Sequence, residues 1–389
     1  MKILLIILMA TPYIVQAQIS PLLEEDLYFR FKDQITHSSN TKRFLPFSAF
    51  EQKLLVDAYW DSLDEAPTSD KIRALNETQT FYFGLVERLR LAILKIKHGE
   101  TRVLDGLLQQ DLINELRKAE TDKRLIYVIA AHEKLLLNSG HDEVIELARL
   151  HDSYSDIPQD NESEGELLSE VVTDLYFNTP DATTYMGGEY INSVKIFMFC
   201  RQNRLYPCLM VMKDINGDDV RREDSSLWSN PALASAVTGL PSYQRNGNTP
   251  AGIFTIDSVM PTADQQPSYG KFRRMILNFV PKSKEETLIK SLLPKSSWES
   301  DWWKATTVAR DIGRNLFRIH GSGRLNSDPN TPYYPFMRTH GCISQRENTY
   351  EGVSFKDQRN LLDSIMKAME LEIFIVTRIT TGFREMQIR

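Results

Sequence analysis

The sequence has few cysteines, with three in 389 residues. That number excludes a small scaffold held together by several disulfides. Histidines or cysteines paired at the short intervals of a structural metal site are also missing. We therefore expect no metal and no cofactor.

An excess of positive charge is missing as well. The 46 lysines and arginines are outnumbered by 52 acidic residues, and the formal net charge is −6. A nucleic-acid-binding protein normally carries a basic surface, so this class is disfavoured. The hydrophobic fraction of 42% is enough to form a buried core, which excludes wholesale disorder. The length predicts two domains, with three as the alternative.

Long apolar runs are limited to the first residues of the chain. Lys2 is followed by an apolar run over 3–10, and Val15-Gln16-Ala17 places small residues before a cleavage point. This pattern predicts a secretory signal over 1–17 that is cut after Ala17. An uncleaved anchor is the alternative, but a membrane span needs about 20 apolar residues. We expect an exported protein with no transmembrane segment after cleavage.

The character of the chain changes near its middle. Apolar residues recur at helical spacing between 27 and 150, whereas short apolar or alternating runs bounded by Gly, Pro and Asn follow later. These runs predict strands over 194–199, 209–213, 252–257, 275–280, 316–320 and 371–379. We expect an α+β protein with an all-helical domain over 18–150 and a mostly-β domain over 192–389. The acidic, turn-rich sequence after 150 predicts a linker with a connecting helix over 151–191.

Cys342 is the candidate nucleophile. A thiol attacks as thiolate, and a neighbouring imidazole can produce the thiolate by forming an ion pair with it. His320 projects from the polar end of a predicted strand into a turn that contains Gly321, which suits a general base. His340 is the weaker alternative. Gly341 beside the thiol would let backbone N–H groups approach an oxyanion. The competing interpretation is a buried structural cysteine.

A resemblance favours the catalytic interpretation. His320, eighteen intervening residues and then Thr339-His340-Gly341-Cys342-Ile343 resemble the signature of YkuD-type L,D-transpeptidases. The run Asn248-Thr249-Pro250-Ala251-Gly252-Ile253-Phe254-Thr255-Ile256 is similar to a strand of that family, and 194–214 resembles its opening hairpin. The resemblance extends over about 192–379.

The resemblance implies a cysteine acyltransferase that acts on peptidoglycan stem peptides in the periplasm or cell wall. Cys342 would attack the carbonyl that joins the third stem residue to the terminal D-alanine, and His320 would carry the proton. The carbonyl of Gly321 would hold the other ring nitrogen of the histidine. Backbone N–H groups near Gly341 would stabilise the oxyanion. Two further residues, Thr339 and His340, would shape the pocket.

Two departures from the family pattern concern the acceptor and the substrate cleft. The family often has Arg or Asn two residues beyond the cysteine, where this chain has Ser344; Arg346 or Asn348 is an alternative. The helix-like segment 281–314 looks inserted and is a candidate lid. Its tryptophans either pack the lid or stack on substrate. The candidate substrate contacts are Arg338, Tyr334 and Trp303.

Cys200 and Cys208 flank a predicted hairpin turn. If the turn lies at Gln202-Asn203, the two side chains point to opposite faces, and a turn centred on Arg204 would bring them together. Since Gln202-Asn203 is the more turn-like pair, we expect two separate thiols. Cys342 takes part in no bridge in either case.

Three functions therefore remain as hypotheses. The first is an L,D-transpeptidase that transfers the acyl group to an amine. The second is an L,D-carboxypeptidase that uses water as the acceptor. The third is a catalytically inactive wall-binding protein.

Overall fold

The computed structural model of the protein describes residues 27–33, 35, 48–65, 67–78, 80, 83–155, 157, 174–178, 194–262, 266–279, 286–299 and 302–369. The predicted signal, most of the predicted linker and the predicted strand over 371–379 lie outside these residues. The chain divides into two compact units, one ending at Leu108 and the other beginning at Gln109. This division lies upstream of the boundary expected near 150.

The first unit is built from helices. Their bounds are α1 (Ala49–Glu65), α2 (Ser69–Glu77) and α3 (Leu85–Lys97), and α4 (Gly106–Leu116) spans the point of division. Thr68 caps α2 by accepting a hydrogen bond from the backbone N–H of Lys71. Within the buried interior of this unit, Arg90 donates to Asp57 at 2.6 Å. None of the described helices in either unit combines the length and apolar character needed to cross a bilayer.

The second unit begins with four more short helices, α5 (Lys123–Ala131), α6 (Glu133–Asn138), α7 (Asp142–Arg149) and α8 (Asp152–Ser155). Tyr127 of α5 and Ile157 share a buried cluster with Val308 from later in the chain. The side-chain amide of Gln244 also donates to the carbonyl oxygen of Tyr127 at 2.6 Å. These helices therefore pack against the strand-rich part of the same unit.

Two sheets form the strand-rich part. The first has the order β1-β2-β3 and the second the order β4-β5-β6-β7. The strands of these two sheets are β1 (Lys195–Phe199), β2 (Cys208–Lys213), β3 (Ser229–Ala232), β4 (Phe254–Thr262), β5 (Arg273–Phe279), β6 (Phe317–His320) and β7 (Ile343–Ser344). A further hairpin pairs β8 (Thr349–Tyr350) with β9 (Val353–Ser354). The five predicted strands that fall within described residues are confirmed. β3 and β7 were not predicted, because one contains Pro231 and the other is two residues long.

Four α-helices follow β4 in the described part of the chain, and the last of them packs with the two sheets around a common core. The helices after β4 are α9 (Gln266–Tyr269), α10 (Glu286–Ser291), α11 (Lys304–Asp311) and α12 (Asp357–Ala368). Leu361 and Ile365 of α12 are one helical turn apart and pack into the same cluster as Met275 and Phe317 of the second sheet. The α+β class is confirmed.

The turn of the β1–β2 hairpin lies at a different position from the one that the sequence predicts. Phe199 pairs with Leu209, which centres the connection on Arg204 and not on Gln202-Asn203. Cys200 and Cys208 consequently face each other and form a disulfide. The expectation of two separate thiols was wrong, because it was based on local turn preference whereas the register of the strands sets the turn. Cys342 lies outside the disulfide, as predicted.

Candidate active site

The pairing of β6 with β7 places the two predicted catalytic residues. These strands are parallel, with Ile319 opposite Ile343 and His320 opposite Ser344. Ile319 and Ile343 both point into the core cluster. Because side chains alternate along a strand, His320 projects from the opposite face of β6, and Cys342 lies in the bend that immediately precedes β7. The sheet therefore brings the candidate base and nucleophile, 22 positions apart in sequence, to two neighbouring strands.

His320 is buried and held by the backbone. Its Nδ1 lies 2.5 Å from the carbonyl oxygen of Gly321, as the resemblance implied. A carbonyl only accepts, so Nδ1 carries the proton and Nε2 presents its lone pair. Burial lowers the pKa of His320 to about 4, and the nearby charges of Arg318 and Arg274 act in the same direction, while the Gly321 carbonyl opposes the change. The histidine is therefore neutral at pH 7. The expectation that a charged imidazolium forms an ion pair with the thiolate is not met.

Tyr269 packs between His320 and two arginines. Its ring meets the imidazole edge to face, with 5.2 Å between centroids. The guanidinium carbons of Arg274 and Arg318 lie 4.2 and 5.1 Å from the centroid of the tyrosine ring. This arrangement supports the imidazole and places positive charge on one side of it. Tyr269 was not predicted, because it lies on a four-residue helix far from the motif in sequence.

Two threonine hydroxyls hold the backbone around the nucleophile. Thr339 donates to the carbonyl oxygen of Cys342 at 2.7 Å. Thr249 donates to the carbonyl oxygens of Gly341 at 3.0 Å and of Cys342 at 3.4 Å. Gly341 has a positive φ of 103° that favours glycine. Two of the three sequence blocks that carried the resemblance therefore meet at this turn.

The thiol itself faces the residue before β6. Sγ of Cys342 donates a long hydrogen bond, 3.9 Å, to the carbonyl oxygen of Leu316. Leu316 adopts a φ of +59°, a left-handed conformation that is strained for a residue with a side chain. This conformation sets the direction of its carbonyl toward the thiol.

A pocket opens beside Cys342. Its lining consists of Arg245, Asn246, Arg314, Asn315, Leu316, Phe317, His340, Gly341 and Cys342. His340 is therefore in the pocket, as predicted, whereas Arg338 and Tyr334 are not in its lining. Arg338 instead donates to the carbonyl oxygen of Ala236. Tyr334 lies edge to face on Tyr350 at 5.5 Å and donates to Glu351 at 3.4 Å.

Trp303 also lies elsewhere. Its side chain has no exposed surface and packs with Ile289 and Leu293 in a small cluster. Its indole N–H donates to the carbonyl oxygen of Ser297 at 3.0 Å. The structure therefore assigns Trp303 to packing and corrects its predicted contact with substrate, because a ring with no accessible face cannot stack on a ligand.

The residues after Cys342 support the histidine loop. Asn348 donates to the carbonyl oxygens of Ser322 at 2.6 Å and Arg324 at 3.2 Å. Glu347 accepts hydrogen bonds from two backbone N–H groups at 2.7 Å, and a side chain at Gly321 would collide with its carboxylate. These roles were missed, although both residues lie within six positions of the nucleophile. Proximity to the motif was the signal available.

Ser344 and Arg346, the candidates for contact with the acceptor, both make other contacts within the protein. Ser344 has no exposed surface, and its N–H and carbonyl pair with Leu233. Arg346 donates to Asp357 at 2.5 Å and stacks 4.1 Å from the ring centroid of Phe355. Among the described residues, no group of three or more His, Cys, Asp or Glu side chains is placed to hold a metal ion.

A family model matches the part of the chain that contains His320 and Cys342. Residues 216–351 match the family model of the L,D-transpeptidase catalytic domain, named YkuD. The chain therefore carries a YkuD-type domain in its C-terminal part, and the predicted resemblance is confirmed over these residues. The match begins after the β1–β2 hairpin, which the resemblance had included. Comparisons with curated proteins and with solved structures found no match.

Proposed function

We propose that the protein is a peptidoglycan-remodelling cysteine acyltransferase, an L,D-transpeptidase. It cleaves the bond between the third stem residue and the terminal D-alanine through a Cys342 thioester and transfers the acyl group to an amine. The observation that carries the proposal is the environment of His320. Its Nδ1 donates to Gly321, which leaves Nε2 unprotonated, and its strand β6 pairs with β7, which Cys342 immediately precedes. A base in this form can accept a thiol proton at neutral pH.

Each residue of the turn has a role in the reaction. The thiol proton of Cys342 moves to Nε2 of His320 as sulfur bonds to the substrate carbonyl carbon. The negative charge that develops on the carbonyl oxygen is stabilised by backbone N–H groups around Gly341. Thr339 holds the carbonyl of Cys342 and so fixes the orientation of this turn. His320 then returns the proton to the leaving amine as the carbon–nitrogen bond breaks.

The thioester is released by an acceptor. An amine of a second stem peptide completes transpeptidation, and water completes hydrolysis to a tripeptide. Ser344 is buried and Arg346 is paired with Asp357, so neither presents a group for an amine acceptor. This observation favours the L,D-carboxypeptidase as the second candidate function.

Incubation with purified disaccharide-tetrapeptide, followed by mass spectrometry, tests the proposal. Dimer product supports transpeptidation, tripeptide supports hydrolysis, and unchanged substrate supports an inactive wall-binding protein. Cys342→Ala is expected to abolish both products. Tyr206→Phe, which removes the hydroxyl of an exposed residue in the β1–β2 connection, is the matched control and is expected to retain them.

The domain layout and location belong to the same proposal. YkuD-type domains act on peptidoglycan, a polymer outside the cytoplasmic membrane. The apolar run over 3–10 and the site at Val15-Gln16-Ala17 support export to the periplasm or cell wall. We place a helical domain over 18–150, a linker over 151–191 and the catalytic domain over 192–389, with 281–314 as a lid. The last part of the helical domain, from Gln109 onward, belongs to the same compact unit as the catalytic domain and packs against it through Tyr127.

A further inference from the structure

The pocket beside Cys342 has a one-sided charge. Arg245, Arg314 and His340 are its ionisable lining residues apart from the thiol, and its lining contains no carboxylate. His320 and Arg318 project from the same face of β6, and Arg274 acts on His320 from β5. The ionisable side chains that line the pocket with Cys342, and the two arginines near His320, are thus all basic.

Arg314 is held in place more firmly than a surface arginine. One guanidinium nitrogen, Nη1, donates to the carbonyl oxygens of Ser242 and of Asn248, the latter at 3.0 Å. The other, Nη2, donates to the carbonyl oxygen of Gly247 at 2.8 Å. The guanidinium carbon lies 4.7 Å from the ring centroid of Phe317. Three carbonyls and an aromatic face therefore fix a cation at the wall of the pocket.

This cation lies against the backbone of the nucleophile's turn. A side chain at Gly341 would collide with Nη2 of Arg314, so the guanidinium occupies the space beside that glycine. Burial lowers the pKa of Arg314 to about 9, while a negative charge on Cys342 opposes the change and Arg245 reinforces it. At pH 7 the guanidinium is consequently still charged.

The Cys342 thiol needs a nearby positive charge to ionise at neutral pH. A free thiol has a pKa of about 8.5, and cysteine proteases lower it with an imidazolium. Here burial keeps His320 neutral, and the Leu316 carbonyl next to Sγ favours the protonated thiol. The cation fixed against the turn of Cys342 is Arg314.

We propose that Arg314 is a positioning residue whose fixed charge stabilises negative charge at Cys342, first on the thiolate and then on the oxyanion of the tetrahedral intermediate. It exchanges no proton. When sulfur bonds to the carbonyl carbon, the thiol proton goes to His320 and the new negative charge goes to the carbonyl oxygen beside Gly341. The role in the thiolate is independent of the substrate, and the role in the intermediate rests on the proposed function.

The experiment measures the rate of Cys342 alkylation by iodoacetamide between pH 5 and 10. Cys200 and Cys208 are joined in a disulfide, so the alkylation rate is that of Cys342, the third cysteine of the chain. A neighbouring cation typically shifts a pKa by 1 to 3 units. For Arg314→Gln we expect the midpoint of the rate profile to move up by about 1 to 2 pH units, with labelling at pH 7 slowed about ten-fold or more. Arg314→Lys, which retains the charge, is expected to restore most of the change.

Arg222→Gln is the matched control. Arg222 also donates to a backbone carbonyl, that of Ser229, but it is exposed on another part of the domain. Its profile is expected to match that of the unmodified protein. If Arg314→Gln is unstable, Phe317→Leu removes the ring under the guanidinium and keeps the charge, and a smaller upward shift is expected.

An unchanged midpoint in both the Arg314→Gln and Phe317→Leu proteins would overturn the proposal, as would a shift that Arg314→Lys fails to reverse. The result is separate from that of the proposed function. If the unmodified protein labels as expected but leaves tetrapeptide unchanged, the proposed function fails while the role of Arg314 in the thiolate stands.

Discussion

The carboxylate of Glu347 lies directly against Gly321, the residue whose carbonyl oxygen holds Nδ1 of His320. The same carboxylate accepts the backbone N–H groups of Lys271 and Phe272 at 2.7 Å each. Burial raises the pKa of Glu347, and these two hydrogen bonds oppose that effect. Glu347 thus joins the turn before β5 to the loop that orients the candidate base.

A methyl group at Gly321 should disturb that loop. Gly321→Ala forces the Glu347 carboxylate to move and shifts the carbonyl that holds His320. We expect turnover of disaccharide-tetrapeptide to fall by about 100-fold, the size of effect that a displacement near 1 Å produces. Gly106→Ala is the control, because a side chain there meets no atom within 4 Å. Wild-type turnover in the Gly321→Ala protein would contradict this role for the loop.

The buried histidine should make stability depend on pH. The pKa of His320 is about 4 in the folded protein, against 6.5 for an unperturbed histidine. The unfolded chain therefore binds a proton that the folded chain does not as pH falls from 6.5 toward 4, and stability is lost over that interval. The difference corresponds to about 3 kcal/mol.

Denaturant unfolding at pH 7 and pH 4.5 measures this loss. His320→Asn cannot titrate and is expected to show a smaller decrease than the unmodified protein. His141→Asn gives a comparison, since burial also lowers the pKa of His141. Equal decreases in the His320→Asn and unmodified proteins would show that His320 does not carry the effect.

Acylation should be confined to one residue. The resemblance to the family implies that carbapenems, which mimic the acyl donor, form a stable thioester with Cys342. Intact-mass analysis is expected to find no adduct on Cys342→Ala. The double variant Cys200→Ala/Cys208→Ala should keep the adduct, since the two cysteines that it replaces lie in the β1–β2 hairpin and not in the pocket of Cys342.

The same double variant tests the disulfide. Closing a loop with a sequence separation of 8 stabilises a protein by about 2.5 kcal/mol through the entropy of the unfolded chain. We expect its free energy of unfolding to drop by about that amount, measured in denaturant without reductant. No change in stability would indicate that the bridge is absent.

Trp303 should affect stability before it affects substrate binding. Because its side chain has no exposed surface, Trp303→Ala leaves a cavity and is expected to cost about 3 to 5 kcal/mol. Trp303→Phe fills much of that space and should retain KM for tetrapeptide. A raised KM with unchanged stability in Trp303→Phe would restore the predicted contact with substrate.

Export should remove residues 1–17. The short apolar run and Val15-Gln16-Ala17 predict cleavage after Ala17. N-terminal sequencing of protein from the periplasm or medium is expected to begin at Gln18. Recovery only in membranes with Met1 intact would contradict the prediction.

Much of the site was predictable because its signals are local. Cys342 beside Gly341, and His320 at the end of an alternating run, are patterns that a strand and a tight turn preserve. The strand series was predictable for the same reason. The hairpin of Cys200 was mispredicted because Gln202-Asn203 is the better local turn, and the pairing of Phe199 with Leu209 overrides it.

The α+β class, the series of strands, and the choice of His320 and Cys342 as candidate base and nucleophile could be predicted from local sequence patterns. The charge state of His320 depends on the tertiary structure. Burial makes an imidazolium costly, and no local pattern around His320 reports how deeply its ring is buried. Only the fold brings Arg314 from the end of the inserted segment against Gly341, because that contact depends on carbonyls of the loop 242–248 that lie more than 60 positions away.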